Sequence, residues 1–247
     1  MTPMLDCAIV GAGPGGLTAA VYLSRFRRSI AVFDAGNSRA RWIPESPNCP
    51  GFPSGIGGDA FLARMAAQAR AFGARIESGE VAAIERDSDA GNGGFALTFS
   101  GRRVDARCVV LATGCDDVMP RIEGLEQAVA SAALRFCPVC DAFEAVDRDI
   151  AVHGPLESAA RHALFLRTYS DRVSIVPGGD GVWSDLPQSR RLNEAGIAVT
   201  GVPSAMRFDG QRCSFTIDGR NHACDVVYAM LGSRQRSELA LPLGAAC

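Results

Sequence analysis

Six residues near the start of the chain constrain its fold more than any other stretch. Gly11-Ala12-Gly13-Pro14-Gly15-Gly16 fits GxGxxG, and it follows Leu5 to Val10, a short apolar run of the kind that forms a buried parallel strand. Leu17 to Phe26 then carries apolar residues at helical spacing, so the glycines lie where a strand turns into a helix. Gly11 permits the tight turn, Gly13 lets a pyrophosphate approach the backbone, and Gly16 lets helix and strand pack closely, with the helix N-terminus facing the phosphate charge. Ser29 to Phe33 reads as a second strand ending in Asp34, about 20 residues on, where a ribose-binding acid belongs. A glycine-rich turn without a ligand is the plain alternative, and the order strand, turn, helix, strand, acid weighs against it.

With 247 residues, 47% of them hydrophobic, the chain can bury a sizeable core and suits one large or two ordinary domains, of which two is the expectation. The 25 basic and 27 acidic residues are scattered and leave a net charge of -2, so no nucleic-acid partner is expected. Every basic residue is an arginine, which excludes a Schiff-base lysine and a Walker-type phosphate lysine within this chain. Met1 to Asp6 has no basic n-region, the apolar run ends in glycines by Gly11, and no later stretch is long enough to span a bilayer. No membrane partner and a cytoplasmic location are therefore expected. Nine cysteines, an odd count in a chain of this length without a signal peptide, point to mostly reduced thiols.

Ala35 to Gly58 is rich in Pro, Gly, Ser and Asn and reads as a long, functional loop. Asp59 to Phe72 returns to helical spacing, with Asp59 as a cap. Val81 to Arg86, Phe95 to Phe99 and Val104 to Arg107 read as strands, with Gly91-Asn92-Gly93-Gly94 as a turn, forming a small antiparallel layer on the parallel sheet. Cys108 to Ala112 reads as a further buried strand running into Thr113-Gly114, where a glycine lets backbone come near a ligand.

Cys137-Pro138-Val139-Cys140-Asp141 places two thiols in CxxC spacing, close enough to close a small disulfide ring that cycles without rearranging the fold. Asp141 is a candidate acid or base for the thiols. A zinc half-site or two unpaired core cysteines are the alternatives. A structural zinc site needs a second pair roughly 15 to 20 residues on, or a matching His pair, and the next cysteines lie far away at Cys213 and Cys224. Redox chemistry with an electron carrier, and no metal, is the better reading.

Taken in order, GAGPGG, the acid Asp34, Asn48-Cys49-Pro50-Gly51-Phe52, Ala112-Thr113-Gly114 and CPVCD resemble the low-molecular-weight thioredoxin reductases and their relatives. These are flavoproteins whose FAD domain is interrupted by a second nucleotide-binding domain carrying the CxxC. The resemblance covers essentially the whole chain. It implies an α/β protein of two Rossmann-like, three-layer domains, with residues 1–117 in the FAD domain, 118–240 in the NAD(P)-like domain and 241–247 beginning the return. It further implies that Gly11, Gly13, Gly16 and Asp34 hold the ADP half of FAD, with Pro14, Gly15 and Val81 also in the cofactor set. Asn48 would lie near the isoalloxazine, and Ala112, Thr113 and Gly114 would line the flavin cleft. Cys140 would face the flavin, Cys137 would attack the partner's disulfide, and Asp141 would handle protons. The implied partner is a thioredoxin-like protein or a small disulfide or dithiol, and the implied assembly a homodimer.

The second domain begins with the same logic: Asp149 to Val152 reads as a strand and Glu157 to Leu166 as a helix. In the family the turn between them has the form GxGxxA and receives a reduced nicotinamide cofactor. Here it reads Gly154-Pro155-Leu156-Glu157-Ser158-Ala159, so Leu156 replaces the glycine that admits the pyrophosphate and Pro155 removes a backbone donor. Past the strand Arg172 to Val176, NADPH-dependent members carry a basic cluster, whereas this chain has Pro177-Gly178-Gly179-Asp180. That forfeits charge-assisted hydrogen bonds worth roughly 1.5 to 3 kcal/mol each. Tight NADPH binding is not expected, and whether NADPH or NADH serves stays open. His153, His162, Arg161 and Arg167 lie near this turn, and their plain reading is as packing or solvated residues.

Ser184 to Ala195 reads as a helix, Ile197 to Thr200 as a strand, Ala205 to Phe208 and Cys213 to Ile217 as a hairpin, and Val226 to Leu231 as a buried strand. Ser237-Glu238-Leu239 resembles the crossing back to the FAD domain, and the sequence stops at Cys247, before the family's last strand, Gly-Asp turn and helix. A longer protein recorded in part is the expectation. The function expected is an FAD-dependent disulfide oxidoreductase working through Cys137 and Cys140. One alternative runs the same parts backwards: relatives that close the disulfides of holomycin or gliotoxin oxidise dithiols with oxygen and need no NADPH site. A flavin-poor binding protein without catalysis is the other.

Overall fold

The computed structural model describes residues 4–87 and 93–246 and divides into two compact units. The first comprises Met1–Arg41, Gly57–Asp116 and Gln235–Cys247, the second Trp42–Ile56 and Asp117–Arg234. Met1 to Pro3, Gly91 and Asn92 of the expected turn, and Cys247 lie outside the described residues.

In the first unit, β1 (Leu5–Val10) leads through the glycine turn into α1 (Pro14–Arg25) and β2 (Ile30–Asp34). The helix begins at Pro14 rather than Leu17, because proline's fixed φ and missing N–H suit the first helical turn. After the long loop come α2 (Gly58–Ala71) and β3 (Arg75–Ser78), an edge strand that the sequence pattern did not reveal. Next are β4 (Val81–Arg86), β5 (Phe95–Phe99) and β6 (Arg102–Leu111). One six-stranded sheet in the order β3-β2-β1-β6-β5-β4 takes them all. The separate strands expected at 104–107 and 108–112 are thus one strand, pairing antiparallel with β5 along its first half and parallel with β1 along its second. Ile9, Val32, Leu17, Ala20 and Ala69 form one buried cluster with the helices, while Val10, Phe33, Val81, Leu97 and Phe99 form another.

The chain leaves the first unit through β7 (Cys115–Asp117). The second unit contains α3 (Leu125–Ala130), β8 (Leu134–Arg135), α4 (Pro138–Asp141), β9 (Ile150–Gly154), α5 (Leu156–Leu166), β10 (Val173–Pro177), α6 (Ser189–Glu194) and β11 (Ala198–Val199). Pro187 precedes α6, and the helix expected from Ser184 is confined to Ser189–Glu194 after a short 3-10 turn at Trp183–Asp185. Then come β12 (Ala205–Phe208), β13 (Cys213–Ile217), β14 (Arg220–Cys224) and β15 (Val226–Ala229), with β16 (Ser233–Gln235) on the way out. A parallel sheet in the order β11-β10-β9-β15-β8 carries α5 and α6 on one face; β12, β13 and β14 form a three-stranded sheet, one strand more than the expected hairpin. The return to the first unit falls at Gln235, earlier than residue 241, since Arg236 already donates to Gly114, Asp116 and Asn37.

Candidate functional site

The glycine turn of the first unit serves two purposes. A Cβ on Gly11, which has φ +103°, would run into the carbonyl of Ala112, and one on Gly16 into the carbonyl of Gly11, so packing alone demands these two glycines. Gly13 and Gly15 differ: a Cβ on Gly13 would meet only Ser38 Oγ at 3.3 Å, and one on Gly15 nothing within 4 Å. Space therefore stays open on the outer side of the turn. No side chain caps α1 at Gly13, leaving first-turn N–H groups to an anion or water. Asp34, at the end of β2, accepts the Ala12 N–H at 3.1 Å through Oδ1, which ties the acid to the turn.

Beside the turn, Ala112 donates its N–H to Val10 at 2.8 Å and Gly114 takes φ +75°. Thr113 donates its hydroxyl to the Arg236 carbonyl at 2.6 Å. Arg236, which no sequence motif marks, forms a two-point ion pair with Asp116 and donates to Asn37 Oδ1 at 3.1 Å. The Val81 side chain is buried among Phe33 and Phe99, so only its backbone is available to a ligand. Asn48 lies in the segment grouped with the second unit, where its Oδ1 accepts the Ser46 hydroxyl at 2.9 Å. An uncapped helix start, open space at Gly13 and Gly15 and a fixed acid fit the ADP half of FAD.

In the second unit Cys137 and Cys140 are joined in a disulfide with their Cα atoms 5.3 Å apart. Pro138 starts the single turn α4, in which Cys140 donates its N–H to Cys137 O at 2.9 Å and Ala142 to Pro138 O at 3.0 Å. Cys140 is exposed and Cys137 partly so. Burial pushes the Asp141 carboxyl above the usual carboxylate range, against the pull of Arg135. By contrast Cys213 and Cys224 face each other across β13 and β14 and are buried; burial pushes Cys213 up to about 11 and Cys224 higher still, so both are poor thiolates. Among the described residues no group of three or more His, Cys, Asp or Glu could hold a metal ion.

The turn after β9 is closed. Gly178 donates its N–H to Gly154 O at 2.8 Å, and Leu156 packs against the buried cluster of this unit. Its Cδ1 is so near that a Cβ on Gly181 would stand 2.8 Å from it. Glu157, in the first turn of α5, is paired with Arg161 at 3.0 Å and puts negative charge where a phosphate would need the helix N-terminus. His153 is buried with Nδ1 donating to Val176 O at 3.0 Å, and burial lowers its pKa. These residues do not fit a dinucleotide.

A dinucleotide-type cradle and a CxxC disulfide on one chain define a flavoprotein-like disulfide oxidoreductase. Residues 5–247 match the pyridine nucleotide-disulphide oxidoreductases, and the chain belongs to that family. It is 28% identical over 245 residues to a thioredoxin reductase of Mycolicibacterium smegmatis, across 95% of this chain and 77% of that protein. It is 31% identical over 176 residues to a thioredoxin reductase of Aquifex aeolicus (strain VF5), across 70% of this chain and 53% of that protein. It thus spans about half to three quarters of the length of these relatives. The crystal structure of HlmI superposes with a TM-score of 0.89 at 27% identity, covering 100% of this chain and 77% of HlmI. Thioredoxin reductase from Streptococcus pyogenes MGAS5005 shares the fold, with a TM-score of 0.88 at 22% identity over 100% of this chain and 83% of its own. Among the described residues no helix is long and apolar enough to cross a membrane.

Proposed function

We propose that the protein exchanges two electrons between a bound FAD and a substrate dithiol or disulfide through Cys137 and Cys140. The observation that carries this reading is the Cys137–Cys140 disulfide with Cys140 exposed and the Asp141 carboxyl next to it biased toward its protonated form. A thiol or thiolate can reach the exposed sulfur, and a protonated carboxyl can serve the leaving sulfur. FAD, held by the turn at Gly11 to Gly16, Asp34 and the strand end at Ala112 to Gly114, supplies a two-electron carrier when bound. Thioredoxin reductase relatives favour a thioredoxin-like protein as the partner, and the family resemblance favours a homodimer in the cytoplasm.

A second reading, favoured by Leu156 and the hydrogen bond between Gly178 and Gly154, is a dithiol oxidase that needs no nicotinamide. Mixing the flavin-loaded protein anaerobically with NADPH, NADH or a dithiol separates the two. Bleaching of the flavin band by the dithiol alone, with dithiol-dependent oxygen uptake in air, supports oxidation; bleaching by a nicotinamide supports reduction of a disulfide partner. A protein bleached by none of the three is not this enzyme.

A further inference from the structure

Beneath the redox pair lies a buried cation. Arg135 ends β8, and its side chain is only 9% exposed. Because β8 pairs in parallel with β15, Arg135 is the register partner of Tyr228, so the two side chains leave the sheet on the same face. Both reach the residue after the CxxC. Arg135 donates to the Asp141 carbonyl at 2.6 Å and to the Ala132 carbonyl at 2.8 Å, while the Tyr228 hydroxyl donates to the same Asp141 carbonyl at 3.1 Å. The guanidinium stands 3.9 Å from Asp141 Oδ2, whereas Oδ1 is buried with no partner. Glu144 is the other charged group acting on this carboxyl, and it opposes ionisation. A neutral donor could hold a carbonyl at a smaller desolvation cost than a guanidinium. The charge therefore has a use beyond the clamp.

We infer that Arg135 and Tyr228 are positioning residues of the redox site, pinning the Asp141 backbone, and that the Arg135 charge sets the acidity at which Asp141 yields its proton during thiol–disulfide exchange. This rests on the exchange reading above. In the step concerned, a thiolate of a substrate dithiol attacks one sulfur of the Cys137–Cys140 bond, the bond breaks, and the other sulfur leaves with the electron pair. Asp141 gives that sulfur a proton. The second substrate thiol then closes the substrate disulfide, displaces the first cysteine sulfur and returns a proton to Asp141, while the first substrate proton reaches the displaced sulfur through water. The substrate loses two electrons and two protons, and the cysteine pair gains them.

The test follows opening of the disulfide by dithiothreitol in the full chain as a function of pH, with iodoacetamide trapping and mass spectrometry. Expressed per dithiothreitol thiolate, whose concentration itself increases with pH, the wild-type rate falls as pH rises through the Asp141 titration, and Asp141→Asn removes that limb. Removing the cation raises the carboxyl pKa, so Arg135→Met moves the limb to higher pH. Arg135→Lys restores it toward the wild-type position, and Tyr228→Phe, which removes a hydroxyl that favours the ionised carboxyl, lowers the rate and moves the limb to higher pH. Coincident profiles for wild type and Arg135→Met overturn the inference. If Arg135→Met does not fold, judged by circular dichroism, Arg135→Gln takes its place, and coincident profiles for wild type and Arg135→Gln overturn the inference equally. Failure of dithiothreitol to open the wild-type disulfide at any pH defeats the exchange reading instead.

Discussion

In the first unit Val10 pairs with Phe33, and in the second His153 pairs with Val176, a register that equates Gly11 with Gly154, Gly13 with Leu156, Gly16 with Ala159 and Asp34 with Pro177. The backbones follow the same path, but the side chains make opposite use of it. At the first turn the Ala12 N–H is held by Asp34; at the second, Pro155 has no N–H to give and Pro177 no carboxylate to receive it. The second pair of strands instead stays bonded one residue further, through Gly154, Pro177 and Gly178. Where Gly13 leaves room, Leu156 packs against the core. A strand-turn-helix unit can therefore keep its architecture with either open space or a core side chain at its third turn position, because folding needs only the glycine that lets two backbones meet.

The largest expected effect tests the glycine of closest approach. Gly16→Ala forces a Cβ against the Gly11 carbonyl and should cost about 3 kcal/mol in denaturant unfolding together with loss of bound flavin. The matching change, Ala159→Gly, removes a buried methyl without creating a clash and should cost about 1 to 2 kcal/mol. Asp34→Asn weakens the charged hydrogen bond to the Ala12 N–H and, on the proposed FAD reading, the hold on a ribose, so flavin affinity, read by fluorescence titration, should fall by about 2 kcal/mol or roughly thirtyfold. Next, Leu156→Ala should lower stability by about 1 to 2 kcal/mol, less than a fully buried leucine because this one is partly exposed. Gly13→Ala should leave stability nearly unchanged while weakening flavin. If the two variants behave alike, the turns do not differ in purpose.

The smallest effect concerns the residue before each turn. Burial depresses the His153 pKa below its ordinary 6.5, so the folded state binds fewer protons than the unfolded one. Its contribution is present above the ordinary value and lost as pH falls through it. Wild type should therefore lose stability relative to His153→Val between neutral pH and pH about 5, and parallel stability curves for the two proteins would refute this. Val10, the equivalent residue of the first unit, has no such dependence.

Much of this difference is legible in the sequence. GxGxxG between an apolar run and a helical one, an acid about 20 residues on, and CxxC with its aspartate are all short-range patterns. Steric rules act within a few residues, so the damaged second turn was visible as Pro155 and Leu156 in place of a donor and a glycine. What closes that turn was not visible, since Gly178 and Gly181 approach it from another strand end.

Residues alone indicated most of the elements, the glycines of the two strand-turn-helix units and the CxxC pair, because backbone sterics, hydrophobic period and spacing are properties of the local chain. Tertiary structure decided that β6 is one strand serving two partners, that Arg236 latches Asn37 and Thr113, and that Tyr228 shares with Arg135 a carbonyl 87 residues away in sequence. Those bonds join groups far apart in sequence, and only closure of the sheets brings donor and acceptor within reach.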